Sequence, residues 1–197
     1  MKIYDISQEL FSCCVWPSDP IPKREVVCSI KDGSVCNVTA FSMCAHNGTH
    51  IDAPYHFFDD GITVDEIPLY KTVGECYVCH FDGIIDRRVM EGILKKATTY
   101  SDECAKRILV GGTSTLSEDA ARLLAEKKIY LYGNEGQTVG PEDAPMATHL
   151  IMLGEEIVLL EGVRLNGVPE GKYPLNAAPI NLEGSDGAPC RAILIEQ

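Results

Sequence analysis

From Val35 to Cys44 apolar and polar residues alternate as on a half-buried strand, and the run leads directly into a histidine-rich stretch. Asp86 can cap a helix reaching about Ala97, with Val89, Ile93 and Ala97 on one face and Gly92 weakening it. Lys106 to Val110 reads as a buried strand that ends at Gly111-Gly112. Ser117 then caps a second helix: Glu118 and Asp119 lie in its first turn and Lys127 and Lys128 at its end, in keeping with the helix dipole. Ile129 to Tyr132 predicts the next strand, with Gly133 to Gly136 as its turn. A third helix is expected over Pro145 to Leu153, with Asp143 near its start and Gly154 just past its end; His149 lies within it. Glu156 to Leu160 is a short apolar strand with Glu161 where it leaves the core, and Arg191 to Ile195 is a closing strand. Strands alternating with helices after an all-strand first third indicate an α/β chain with a mixed sheet and flanking helices.

With 197 residues, 45% of them hydrophobic, the chain is expected to build one core and one domain over residues 1–197. No apolar run approaches the ~20 residues of a membrane span. Met1 to Asp5 lacks the apolar core of a signal peptide, which predicts a cytoplasmic protein. A net charge of -12 argues against nucleic acid or an anionic membrane as partner, since both require clustered Lys and Arg. The nine cysteines are odd in number and read as reduced thiols, with Cys36 and Cys44 expected to pack as small core residues. Cys76-Tyr77-Val78-Cys79-His80 matches a haem-attachment pattern, but a strand there would point positions 76 and 79 to opposite faces.

The chemistry concentrates between residues 46 and 56, where His46, His50 and His56 share eleven residues with Asp52. Imidazole and carboxylate together suit Zn²⁺, Mn²⁺ or Fe²⁺. On a straight strand His46 and His50 would stand ~13 Å apart, so Gly48 and Pro54 must curl the segment for the side chains to meet at one ion. A single buried histidine is ordinarily a satisfied core residue. Several imidazoles with a carboxylate, buried without a cation, would leave desolvated groups costing ~1–3 kcal/mol each.

The motif H-x-G-T-H-x-D-x-P-x-H, complete at His46 to His56, resembles the hallmark of the metal-dependent cyclase and kynurenine formamidase (arylformamidase) family. The likeness extends to Tyr4-Asp5-Ile6-Ser7 and Trp16-Pro17-Ser18-Asp19 at the start, and to Leu160-Glu161-Gly162-Val163 and Asp186 to Arg191 at the end. It implies a swivelling β/β/α-type single domain. It also implies His46, His50 and Asp52 as metal ligands, completed by His149 and Glu161 around one or two divalent ions, Zn or Mn. His56 is implied as a proton-transferring residue, with Glu161 sharing that work or only binding metal. Asn47, Ser18 and Gly133-Asn134-Glu135 depart from the commoner residues of the family, which bears on the substrate more than on the metal.

The implied activity is hydrolysis of a small-molecule amide C–N bond by metal-activated water, arylformamidase-like, with a place in tryptophan catabolism. His56 would hand a proton to the leaving nitrogen, while Trp16, Phe57 and Phe58 could wall an aromatic substrate. The alternatives are an isatin hydrolase-like enzyme opening a cyclic amide or lactone, and a metal- or small-ligand-binding module without turnover. A homo-oligomer, dimer or tetramer, is expected, because the proline-rich segment around Trp16 can cover a neighbouring subunit's pocket.

Overall fold

In the computed structural model, which describes residues 1–196, the strands are β1 (Lys2–Asp5), β2 (Lys23–Cys28), β3 (Val38–Ser42), β4 (His50–Asp52), β5 (Val73–His80), β6 (Gly83–Ile85), β7 (Arg107–Gly111), β8 (Ser114–Leu116), β9 (Leu131–Asn134), β10 (Val158–Glu161), β11 (Gly171–Asn176), β12 (Gly187–Pro189) and β13 (Ile193–Glu196). The helices are α1 (Arg87–Thr98), α2 (Glu118–Glu126) and α3 (Met146–Gly154). Nine strands form one sheet in the order β1-β13-β11-β5-β7-β9-β10-β4-β12. Its centre, β5-β7-β9-β10, is parallel, while β11 and β4 join it antiparallel on either side. The architecture is therefore the α/β mixed sheet expected.

Each sheet face carries a core. On one, Tyr77, Ile108, Val110, Tyr132 and Leu159 pack under the three helices. On the other, the sheet curls over its own residues: Cys76, Val78, Leu109 and Leu160 meet Ile51 of β4, Tyr173 and Leu175 of β11 and Leu194 of β13. Period-two alternation along β5 makes this division, so Cys76 and Cys79 lie in different cores and cannot both hold one haem. No helix among the described residues is long and apolar enough to cross a membrane.

The helix starts follow their capping residues. The Asp86 side chain accepts from Val89 N at 2.8 Å, and Ser117 accepts from Ala120 N. The buried stripe of α1 is Met90, Leu94 and Ala97, so the helix is turned about one residue from the expected face and leaves Val89 and Ile93 at its margin.

Three expectations are corrected. The alternating run from Val35 to Cys44 narrows to β3, which pairs only with β2 in a separate ribbon with nearly every residue exposed. Alternation sets a pleat but supplies nothing to cover it, so Val26 and Phe41 stand 60% and 57% exposed. Cys36 is exposed on the same ribbon and Cys44 half-buried beyond it, so neither is a core residue. Gly133 and Asn134 are not a turn; they extend β9 between β7 and β10. A Cβ at Gly133 would lie 2.7 Å from Leu109 Cδ2, so this glycine serves close packing between strands.

Candidate metal centre

The histidine segment curls because Asn47 closes it. Its Oδ1 accepts from Cys44 N at 2.8 Å, its own N–H donates to Cys44 O at 3.2 Å, and Gly48 follows with φ +70°. Thr49 Oγ1 then donates to Gly162 O at 2.8 Å, fastening the loop to the end of β10. The chain enters β4, where His50 and Asp52 share one face and Ile51 fills the core on the other. His56 ends a short 3-10 turn that begins at Pro54.

These elements bring the candidate side chains together. Asp52 Oδ1 lies 2.8 Å from His46 Nδ1 and 3.2 Å from His50 Nε2. From α3, His149 Nε2 stands 3.2 Å from Glu161 Oε1 and 3.7 Å from Asp52 Oδ2. Three overlapping sets, His46-His50-Asp52, Asp52-His149-Glu161 and His46-His56-Asp186, each have potential ligand atoms within 4.8 Å of one another. Asp186 is not among the site residues expected from sequence. Its Oδ2 meets His46 Nε2 at 2.9 Å and His56 Nδ1 at 3.2 Å, and the only signal for it was its place in the closing segment that resembles the family.

The electrostatics show how strongly the cluster seeks positive charge. Burial acts to lower the His46 pKa, but the hydrogen bonds and charges of Asp186 and Asp52 outweigh it and push it up to about 11. His149 rises to about 9, Glu161 and Asp52 prevailing over the same desolvation. Burial would raise Asp52, yet His46 and His50 hold it well below the usual carboxylate range. Glu161 is pushed up, first by burial and then by the charge of Asp52.

The donor set suits a divalent ion. His50 directs Nδ1 at Gly48 O (3.1 Å) and His149 directs Nδ1 at Pro145 O (2.9 Å), so with Nδ1 as donor both present a bare Nε2 to the cluster. That carbonyl-backed orientation is the one ligating imidazoles adopt. Val139 N donates to Glu161 Oε1 at 2.9 Å and fixes the second carboxylate.

The cluster floors a cleft of about 300 Å³ walled by Trp16, Phe57, Gln137 and Thr138, with Ser18 and Asp19 on the same side as Trp16. The Phe57 ring stacks on His149 at 5.0 Å and meets His56 edge-on at 4.8 Å. A roomier hollow of about 760 Å³ lies between α1 and α2, but no histidine lines it. Two expectations change here. Phe58 leaves the cleft and packs beside Gly154 of α3. Trp16, expected over a neighbour's pocket, lines the cleft of its own chain, where Gly48 N bonds Cys14 O and turns the segment back over the loop. Gln137 and Thr138 carried no sequence signal; the β9–α3 connection alone brings them in.

The family model described as "Putative cyclase" matches residues 4–141. Kynurenine formamidase of Erythrobacter litoralis is 32% identical over 209 residues, covering 99% of this chain and 94% of the relative. A solved structure described as a potential metal-dependent hydrolase with cyclase activity superposes with a TM-score of 0.77 at 29% identity, over 100% of this chain and 99% of that one. An isatin hydrolase bound to the product analogue thioisatinate shares the fold, with a TM-score of 0.82 at 17% identity over 100% and 93% of the two chains. Fold, motif and these likenesses agree: the chain belongs to the cyclase family.

Proposed function

We propose that this protein is a metal-dependent hydrolase of a small-molecule amide C–N bond, acting on aryl formamides as kynurenine formamidases do. The observation that carries the reading is the convergence of three imidazoles and two buried carboxylates on the floor of an aromatic-walled cleft. His46, His50, Asp52, His149 and Glu161 would hold one or two divalent ions, zinc or manganese. A bound ion of this kind supplies an acidified water and polarises a carbonyl.

The chain's own residues do the rest. Trp16 and Phe57 hold the aromatic ring flat against the cleft walls. Asp186 anchors His56 through Nδ1, leaving Nε2 to move a proton to the departing nitrogen. Glu161, fixed by Val139 N, is both ligand and a second proton carrier.

The test is an assay of metal-loaded protein on N-formyl aromatic amines against cyclic amides. Faster release of formate from the open-chain formamides is expected. Exclusive opening of the cyclic amide would favour the isatin hydrolase-like alternative, which the shared fold supports. Metal binding with no turnover of either would leave a binding module.

The protein is also proposed to be a cytoplasmic homodimer. Nine free cysteines fit a reducing compartment. The β2–β3 ribbon carries exposed Val26, Val27, Val38 and Phe41, and a lone two-stranded ribbon is marginal in water. Its Lys23, Arg24 and Lys31 outnumber Glu25 and Asp32, whereas the chain as a whole carries -12, so the ribbon is suited to the acidic body of a second copy.

A further inference from the structure

Gln8 touches three parts of the site at once. Its backbone N–H donates to Thr49 Oγ1 at 2.9 Å, inside the histidine loop. Its side-chain Nε2 donates to Gly162 O at 2.9 Å, directly after Glu161. Its Oε1 accepts from Cys14 N at 2.9 Å. The fit is close: a Cβ at Gly162 would lie 2.6 Å from Gln8 Nε2.

The Cys14 contact is the informative one. Residues 13–22 form no helix or strand, so no ladder holds them, yet Trp16, Ser18 and Asp19 wall the cleft from this segment. Pro17, Pro20 and Pro22 stiffen it, which makes its direction depend on where it is anchored. The anchor is Cys14: its N–H bonds Gln8, its carbonyl accepts from Gly48 N at 3.4 Å, and its thiol lies 3.6 Å from Arg164 Nη2. Two residues later the chain delivers Trp16.

We infer that Gln8 is a positioning residue that sets Trp16 over the metal cluster, so that it governs how the aromatic substrate is held and leaves the metal loop intact. Thr49 keeps its own bond to Gly162 O when the Gln8 side chain is removed, so the loop retains its fastening. The substrate half of the inference rests on the function proposed above; the placement of Trp16 does not.

Trp16 is the one tryptophan in the chain, so intrinsic fluorescence reports this segment alone. Gln8→Met keeps the bulk of the side chain and removes both side-chain hydrogen bonds. Three results are expected: wild-type metal content, Trp16 emission shifted to longer wavelength, and KM for formanilide raised about tenfold with kcat within about twofold. That is the size expected from one to two hydrogen bonds. If Gln8→Met fails to fold, Gln8→Asn, one methylene too short to span from Cys14 to Gly162, repeats the comparison. Unchanged emission and KM would overturn the inference, and so would loss of metal in Gln8→Met, which would place the residue's action on the histidine loop. If wild-type protein does not turn over formanilide, the proposed function fails while the emission measurements still decide the role of Gln8.

Discussion

Glu161 stands directly opposite His50 in the antiparallel β4–β10 ladder, and Asp52 faces the same side two residues along. One register therefore assembles three of the candidate ligands. A slip of one residue would exchange His50 and Asp52 for Ile51 at the cluster and send both polar side chains into the core. The flanking pairing of β12 with β4, which sets Gly187 against Asp52, places Asp186 beside the same cluster.

Asp52 belongs to two of the three ligand sets. Asp52→Ala is expected to lower metal affinity by at least the 10–100-fold seen for groups that merely support a metal ligand, with activity falling in parallel. Metal analysis of the purified variant checks this, and full occupancy would remove Asp52 from the ligand set.

His56→Ala should keep its metal while turnover falls by about 10²–10⁴-fold, the scale of a general acid or base. Asp186→Asn should behave differently. It loosens both His46 and His56, so metal titration should show weaker binding and turnover should also drop. Wild-type metal affinity in Asp186→Asn would confine Asp186 to anchoring His56.

Burial pushes the thiols of Cys79 and Cys104 up to about 12 and about 11, and raises Cys76 as well, from an ordinary value of 9.0. These groups stay neutral in the fold while the unfolded chain ionises, so the stability they contribute is complete below pH 9 and is lost as pH rises above it. The slope is up to about 1.4 kcal/mol per pH unit for each fully buried thiol. Urea midpoints at pH 8 and pH 10 should differ, and Cys79→Ala should reduce the difference; an equal difference in wild type and variant would refute the assignment.

Arg107 is 1% exposed, and its guanidinium donates to Lys71 O at 3.1 Å, Glu75 O at 2.9 Å, Glu103 Oε1 at 2.7 Å and Tyr70 O. Three of these partners are backbone carbonyls of the segment leading into β5 and its first residues. Arg107→Ala leaves them unpaired and should cost about 3–5 kcal/mol, read as a lowered urea midpoint. The folded fraction should still bind metal normally, because the residue lies away from the cleft.

Phe41→Lys places a charge on the exposed ribbon. Light scattering is expected to find wild-type protein dimeric and the variant at the 21.6 kDa of one chain. Monomeric wild-type protein would end the proposal that the ribbon seats a second copy.

The amino-acid sequence determined what acts locally. The caps at Asp86 and Ser117, the alternation that divides Cys76 from Cys79, and the density of imidazoles between His46 and His56 can all be read from residues a few positions apart. Spacing also required the histidine segment to curl, and Asn47 and Gly48 are how it does so. The tertiary structure decided everything that depends on distant pairing. Asp186 joins His46 across 140 positions because β12 pairs with β4. Gly133 and Asn134 are strand rather than turn because parallel neighbours extend the ladder on both sides. Val38 and Phe41 stay 42% and 57% exposed because their strand belongs to a two-stranded ribbon apart from the main sheet, which their alternation alone does not reveal. Periodicity records how a segment can present its side chains; which surface receives them is a property of the whole packed chain.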